Sequence, residues 1–174
     1  MINLNIDIKL KNYWTVWYHK QDEANWDRDS YIKLIDIHTV SDFVRFKNSF
    51  IYLPQFLNGF YFFMKNGISP MWEDAKNCEG GCINIKVSKE LVDKSVWDLF
   101  TYAIIDRMVL ESESDSINGL SVVAKKYNAI IKIWNNDKSR NSVKIINNDL
   151  IFFKDDEIYY RSHLDNEHFG KTQK

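Results

Sequence analysis

Residues 67–81 read GISPMWEDAKNCEGG, and this stretch carries the most specific pattern in the 174-residue chain. It contains Pro70 and no regular apolar repeat, and it ends in Gly80-Gly81, a pair that suits a tight turn into a following strand. Trp72 and Glu73 are therefore expected on a loop, where a large indole ring is poorly explained as core. The adjacent carboxylate places a planar hydrogen-bond acceptor beside a stacking surface.

The composition favours one soluble globular domain with a local ligand site. Hydrophobic residues make up 45% and aromatic residues 15% of the chain, which is enough apolar surface for a packed core. The net charge is −1 at pH 7, whereas proteins that follow long nucleic-acid tracts are usually strongly basic. Any nucleic-acid contact should therefore involve one end or one base. We interpret residues 1–174 as a single domain, with a flexible tail over about residues 167–174.

The cysteines and the first residues bear on metals and location. Cys78 and Cys82 have C-x₃-C spacing without the second pair that a zinc site needs, so we expect free thiols, no metal and no cofactor. The first residues, MINLNIDIKLKN, alternate apolar and polar side chains and lack the apolar core of a signal peptide. No apolar run reaches membrane-spanning length. These features predict a cytoplasmic protein.

Strand signals dominate the hydrophobic pattern. Segments rich in aromatic and β-branched residues predict strands at residues 13–18, 31–37, 60–64, 82–87, 120–124, 130–134 and 157–162. Amphipathic spacing predicts one helix after an N-cap at Thr39, a longer one over residues 93–109, and a shorter third over residues 139–147. Because these helices do not alternate regularly with strands, the pattern favours an α+β fold with a largely antiparallel sheet and helices on one face.

The adjacent Trp72 and Glu73 suit recognition of a guanine base. The N1–H and N2–H₂ groups of guanine are parallel donors, and one carboxylate can accept both. Methylation at N7 makes the base cationic, and a cationic ring is attracted to the electron-rich face of an indole. A second tryptophan from another loop would complete a sandwich. Trp26, in a polar segment between two predicted strands, is the best candidate.

Taken in order, these motifs resemble the eukaryotic translation initiation factor 4E family, the messenger RNA cap-binding proteins. The resemblance spans nearly the whole chain, and its most specific part is Pro-Met-Trp-Glu-Asp at residues 70–74. It is also carried by WTVWY at 14–18, TVSDF at 39–43, the glycine pair at 80–81, IW at 133–134 and YRSH at 160–163. It implies a curved, mostly antiparallel sheet with about three helices on the convex face. The chain's richness in Asn and Ile is typical of AT-rich coding sequences, such as those of some protists and large DNA viruses.

The resemblance implies a role for each residue around the base. Trp26 and Trp72 would sandwich 7-methylguanosine on the concave side of the sheet, and Glu73 would accept hydrogen bonds from its Watson–Crick edge. Trp134 would lie against the N7 methyl group. An alternative stays open for Trp134, because a tryptophan at the end of a strand is often part of the core.

The phosphate contacts implied by the resemblance are thinner in this chain than in the family. Lys125 occupies the first of two basic positions on the strand pair before Trp134, but the second position is Ile130. The position after the glycine pair, often basic in the family, is Cys82. Lys132 lies two residues before Trp134, so both side chains face the same side of a strand. We therefore expect Lys132 to take over part of the phosphate contact.

The helical face of the family binds a helix of the scaffold factor 4G and of repressor proteins. The matching surface here comprises Val40, Val44, Trp97, Asp98 and Tyr102. Val44 replaces a family tryptophan, and Asp106 adds charge to the predicted long helix. Two hypotheses follow from these departures. The protein is either an initiation factor that recruits a 4G-like scaffold, or a cap-binding repressor or competitor that does not.

The sequence also predicts that the protein is not an enzyme. Glu73, Asp74 and the acidic run at residues 111–115 provide carboxylates. The chain has no glycine-rich phosphate loop, no Cys/His cluster and no nucleophile elbow to work with them. We expect recognition of capped messenger RNA without a catalytic step.

Overall fold

The computed structural model describes residues 8–150 and 158–164, and these ranges form one seven-stranded antiparallel sheet. The sheet order is β2-β1-β3-β5-β6-β4-β7. The strands are β1 (Lys9–Lys20), β2 (Ile32–Thr39), β3 (Gly59–Lys65), β4 (Gly81–Ser88), β5 (Ile117–Ala124), β6 (Asn128–Asn135) and β7 (Ile158–Ser162). The helices are α1 (Val40–Ser49) and α2 (Val92–Ile104). Each predicted strand overlaps an observed one, and the predicted α+β class with a curved antiparallel sheet is confirmed. The tail predicted at residues 167–174 lies outside the described residues.

The two faces of the sheet pack in different apolar clusters. Alternate residues of the central strands, including Val16, Phe63 and Leu120, are fully buried in the main core together with residues of α1 and α2. Side chains of this size stabilise the fold by about 1.5–3 kcal/mol each when fully buried. Their neighbours along each strand point to the opposite face. There Phe62 and Trp134 belong to a second, smaller apolar cluster, and the described members of that cluster include no residue of α1 or α2.

Helix α1 begins at the predicted cap and packs against α2 through aromatic rings. The Thr39 hydroxyl accepts a hydrogen bond from the Asp42 amide, and the Asp42 carboxylate accepts one from the Thr39 amide, which forms a capping box. Phe43 and Phe46 are buried, and their ring centroids lie 6.3 and 5.9 Å from that of Trp97 on α2. The helices therefore form one layer on the convex face. Within the described ranges, no helix is long and apolar enough to cross a membrane.

The sequence predicted that α2 extends to Val109, and the structure shows a shorter helix. The helix ends at Ile104, and Asp106 follows with a left-handed φ of 60° and an ion pair to Lys11. Val109 is buried, but it is held by an isolated bridge to Ile146. Asp106 is therefore engaged beyond the helix and does not belong to the helical partner surface.

The third helix predicted at residues 139–147 is reduced to single turns. The structure has a 3-10 turn at Val143–Ile145 and another at Asn148–Leu150. Before them, the carboxamide of buried Asn135 donates to the backbone carbonyls of Asp137 and Arg140, at 3.0 and 2.9 Å. These side-chain bonds satisfy the backbone as a turn and leave no start for a regular helix.

Candidate functional site

An open cleft of about 700 Å³ lies on the face of the sheet that carries the smaller apolar cluster. Its lining combines aromatic rings with two lysines, and it includes the predicted residues Trp26, Trp72, Trp134, Lys125 and Lys132. These residues come from two loops, from β6 and from the turn between β5 and β6. The structure therefore brings together every predicted base and phosphate residue except Glu73.

The loop that carries Trp72 is fixed by the buried side chain of Asn77. Its amide nitrogen donates to the carbonyls of Ser69 and Met71, at 3.0 and 2.7 Å. Its amide oxygen accepts a hydrogen bond of 2.8 Å from Asn118 on β5. Asn77 is completely buried, and it ties both ends of the loop to the sheet.

Asp74 closes the same loop with a charged group. Its carboxylate accepts hydrogen bonds from the amides of Ser69 and Lys76, at 3.0 and 2.9 Å. Partial burial acts to raise the pKa of Asp74, but these amide bonds outweigh it and lower the pKa below its ordinary value. A carboxylate with a lowered pKa stabilises the fold above its unfolded pKa, and this contribution is lost as the pH falls through the folded pKa. The loop is therefore fully braced near neutral pH.

Replacing Asn77 by Ala should lower the free energy of unfolding by about 3 kcal/mol, because the carbonyls of Ser69 and Met71 lose their donor and the Asn118 amide loses one acceptor. Urea unfolding followed by tryptophan fluorescence measures this change. Asn66→Ala, at an exposed position where the loop begins, is the matched control and should change stability by less than about 0.5 kcal/mol. Equal effects for the two variants would show that Asn77 does not brace the loop.

Trp26 has one ring face supported by the protein and the other turned outward. It stacks on His19 with ring centroids 3.9 Å apart and planes only 3° from parallel. His19 is fully buried, and its two ring nitrogens lie 2.9 and 2.7 Å from the carbonyl oxygens of Lys20 and Asn25. Trp26 nevertheless remains 46% exposed. The histidine thus positions Trp26 while leaving a face for a ligand, a contact that the sequence did not reveal.

Trp134 is held rigidly in the floor of the cleft. It is 6% exposed, and its indole nitrogen donates to the Ser121 hydroxyl at 2.9 Å. His163 packs against it at 4.9 Å between ring centroids. Burial, and then the nearby charge of Lys132, lower the pKa of His163 to about 4, so this ring is neutral near pH 7. Trp134 therefore belongs to an apolar cluster and also lines the cleft, and its contact with an N7 methyl group stays a prediction.

Glu73 lies beside the cleft and does not line it. Its side chain is exposed, although Trp72 next to it forms part of the wall. Burial, followed by the negative charge of Glu73, raises the pKa of the cleft residue Tyr31 to about 12. The carboxylate is therefore within electrostatic reach of the cleft, at its rim.

A second open space of about 690 Å³ continues the cleft toward the end of the sheet. It shares Trp72, Trp134, Lys125 and Lys132 with the first space and adds Arg161. Three cationic side chains thus line it, and the described residues of its wall include no Asp or Glu. The arrangement suits the phosphates of a ligand whose base occupies the first space.

Arg161, like His19, was not predicted from the sequence. It lies on β7 directly across from Cys82 on β4, and Cys82 in turn lies across from Trp134 on β6. Complete burial raises the pKa of the Cys82 thiol to about 12, so that position is neutral. Cys82 therefore carries no positive charge, and Arg161 on the neighbouring strand β7 provides one beside it. Lys126, next to Lys125 in the chain, is not among the residues that line this space, and its ammonium lies 5.0 Å from the ring centroid of Tyr127.

The predicted partner surface is assembled on the convex side by α1 and α2. Val44 is 47% exposed on α1. Trp97 is half-buried, with the Lys47 ammonium 5.5 Å from its ring centroid, and Asp98 forms an ion pair with Lys94. The remaining two predicted residues, Val40 and Tyr102, are half-buried and pack against the main core. The surface therefore combines the exposed aliphatic Val44 and the charged Asp98 with the aromatic rings of Trp97 and Tyr102.

Comparison with known proteins agrees with this architecture. The family model described as eukaryotic initiation factor 4E matches residues 9–174. The chain is 30% identical over 144 residues to eukaryotic translation initiation factor 4E-3 of Caenorhabditis elegans, covering 78% of this chain and 57% of the relative. It is 31% identical over 133 residues to factor 4E-1A of Danio rerio, covering 74% and 61%. The chain thus spans about three fifths of the length of these relatives.

Solved structures extend the likeness to the fold. Ascaris suum eIF4E-3 in complex with the m7G cap has a TM-score of 0.77 at 25% identity, covering 91% of this chain and 92% of that one. C. elegans eIF4E-3 in complex with the 4E-binding protein Mextli and a cap analog has a TM-score of 0.75 at 25% identity, covering 92% and 95%. Fold and cleft together define an α+β domain suited to a flat ring with attached anionic groups. The chain belongs to the eukaryotic initiation factor 4E family, as a diverged member.

Proposed function

We propose that this protein binds the 7-methylguanosine cap of messenger RNA and acts in translation initiation. The observation that carries the proposal is the single cleft joining Trp26, Trp72 and Trp134 with Lys125 and Lys132. The cap complexes solved for nematode relatives of the same fold support it.

Base recognition in this proposal depends on two indole faces. Trp26 offers the face not covered by His19, and Trp72 offers a ring from the braced loop. Each base–aromatic stack contributes about 1–3 kcal/mol, and a cationic base gains a further 0.5–2 kcal/mol or so from cation–π attraction. Stacking between two tryptophans therefore favours the methylated base over plain guanine. Trp134 forms the floor beneath the N7 methyl group.

Phosphate binding in this proposal depends on the cationic extension of the cleft. Lys125 is exposed on the β5–β6 turn, and Lys132 is half-buried on the same side of β6 as Trp134. Ile130, which stands at the second basic position of the family, lines the same space without a charge. We infer that Lys132 supplies the contact that Ile130 lacks.

The proposed activity is recognition without a chemical step. It needs no metal and no cofactor, because stacking and hydrogen bonding to the cap involve no bond making or breaking. It places the protein in the cytoplasm, where translation initiation takes place. One domain suffices, since every residue of the cleft lies within the same sheet and its loops.

The test is a titration with 7-methyl-GTP and with GTP, followed by tryptophan fluorescence. The methylated nucleotide should quench the fluorescence strongly and bind about tenfold more tightly than GTP, given the added cation–π attraction. Absence of binding, or equal binding of the two nucleotides, would leave a shared fold without cap recognition.

Glu73→Gln should weaken binding of 7-methyl-GTP by about 2 kcal/mol, or roughly 30-fold, because the amide cannot accept both guanine donors as a carboxylate does. The same titration measures this loss. Glu79→Gln, at another exposed glutamate of the same loop, is the matched control and should bind like wild type. A Glu73→Gln protein with wild-type affinity would remove Glu73 from the site.

A second proposed function is that of a cap-binding repressor or competitor that does not recruit the usual scaffold. The observation that favours it is Val44, an exposed aliphatic residue at the position of a family tryptophan. The nearby Asp98, with its Lys94 partner, adds charge to this face.

The partner surface yields its own prediction. A helical peptide from a 4G-type scaffold should bind the wild-type protein weakly, and Val44→Trp should strengthen binding at least about fivefold by adding an aromatic anchor. Pull-down and calorimetry with that peptide measure the change. Val44→Leu, which enlarges the side chain without adding an aromatic ring, is the aliphatic control. Tight binding of the peptide by the wild-type protein would favour the initiation factor over the repressor.

A further inference from the structure

The outer edge of the sheet carries Tyr159, which the cap proposal does not use, beside Arg161, the third cationic side chain of the cleft extension. Tyr159 and Arg161 lie on β7, which is the edge strand next to β4. Ile158 and Tyr160, which alternate with them, pack against the main core on the helical side. Tyr159 and Arg161 therefore face the cleft side, where both line the cationic extension, and Tyr159 is 51% exposed.

Strand register places these side chains in line with the proposed phosphate residues. Lys132 on β6, Asn84 on β4 and Tyr159 on β7 are cross-strand partners in one row. Trp134, Cys82 and Arg161, already described, form the next row. Adjacent strands lie about 4.8 Å apart, so Tyr159 stands roughly 10 Å from Lys132 along the row.

Asn84 keeps this part of the surface in place. It is 4% exposed between the two flanking strands. Its side-chain amide donates to the carbonyl of Cys82 at 3.0 Å and to that of Tyr159 at 3.5 Å. The backbone of Tyr159 is therefore bound to β4 by a side chain as well as by the ladder, which fixes the point on the rim from which the tyrosine side chain projects.

We propose that Tyr159 and Arg161 form a subsite for the first nucleotide after the cap. The subsite rests on the proposed cap-binding function and extends it. Arg161 pairs with the phosphate that leads into the RNA, and Tyr159 stacks on the first base. Single-stranded RNA is commonly bound by such a combination of a cationic side chain and an exposed aromatic ring. The described wall of this space carries three cationic side chains and no Asp or Glu, so it attracts the RNA chain that follows the cap.

The test compares 7-methyl-GTP with a capped dinucleotide and a capped five-nucleotide RNA. Tyr159→Leu should weaken binding of both capped RNAs about fivefold or more and leave 7-methyl-GTP within about twofold. Arg161→Gln should weaken the five-nucleotide RNA and lower the slope of log K against log salt by about 0.7, the loss of one phosphate contact. Tyr52→Leu and Arg45→Gln, at exposed positions on the helical side, are the matched controls. Thermal melting checks that every variant is folded.

The outcomes separate this subsite from the cap site itself. Wild-type affinity of Tyr159→Leu for the capped dinucleotide would overturn the subsite and leave cap binding standing. An equal loss for 7-methyl-GTP and the dinucleotide would overturn it too, because the tyrosine would then act on the cap alone. Failure of the wild-type protein to bind 7-methyl-GTP would overturn the cap proposal, and the subsite with it.

Discussion

Trp72→Ala is expected to weaken binding of 7-methyl-GTP about 100-fold, and to remove most of the preference over GTP. Loss of one base stack accounts for about 1–3 kcal/mol, and loss of the cation–π attraction adds about 0.5–2 kcal/mol. A sum near 3 kcal/mol corresponds to roughly two orders of magnitude in affinity. Trp72 should matter more than Trp26, because Trp72 lines both the base space and its cationic extension.

Calorimetry is the appropriate measurement for Trp72→Ala, since the substitution removes one of the fluorophores that a quenching experiment would follow. Trp72→Phe should give an intermediate affinity, because a phenyl ring stacks but offers a weaker cation–π surface. Trp97→Phe, on the helical side, is the tryptophan control and should bind like wild type. A Trp72→Ala protein within threefold of wild type would mean that the base does not stack on this residue.

The strands were predictable because their burial alternates with period two. Phe62 and Phe63 show this directly, since Phe62 lies in the smaller apolar cluster and Phe63 in the main core. The start of α1 was predictable for a local reason, the capping box between Thr39 and Asp42. Signals of this kind lie within a few residues of one another, so the chain alone reveals them.

The end of α2 was not predictable, because it depends on contacts distant in sequence. Met108 and Val109 continue the apolar spacing of the helix and are buried as that spacing requires. Their backbone, however, turns at Asp106, whose carboxylate is held by Lys11 and accepts a hydrogen bond from the Ser114 hydroxyl. Periodicity reports which side chains are buried, and it cannot report whether a helix or an extended segment buries them.

The residues of the candidate site also divide into those that the local sequence identifies and those that only the fold identifies. Trp26, Trp72 and Glu73 were identified from local composition and from the family resemblance. His19 and Arg161 were not, because their relevance comes from tertiary placement. His19 acts through its stack on Trp26, and Arg161 through the pairing of β7 with β4. Neither the stack nor the register between strands that are not consecutive can be read from one sequence.

Gly80→Ala should lower the free energy of unfolding by about 3 kcal/mol or more, even though it adds a single methyl group. A Cβ atom on Gly80 would lie 1.9 Å from the backbone oxygen of Asn135 and 2.6 Å from its carbonyl carbon. Backbone atoms cannot move aside as a flexible side chain can. Gly80 also donates its amide to the Asn77 carbonyl and accepts from the His163 amide, at 2.8 and 3.0 Å. Displacing it therefore loosens the Trp72 loop from β4 and β7 together.

Gly67→Ala, at the other end of the same loop, is the comparison that isolates this effect. Gly67 has a left-handed φ of 77°, and a Cβ there would meet only the Lys76 ammonium, at 3.8 Å. Its substitution should therefore lower the free energy of unfolding by about 1–2 kcal/mol, from backbone strain alone. Urea unfolding measures both variants, and calorimetry with 7-methyl-GTP should show the larger loss of affinity for Gly80→Ala. If the two substitutions lower the free energy of unfolding by equally small amounts, the strands tolerate a shift at Gly80. The close approach to Asn135 then does not anchor the loop.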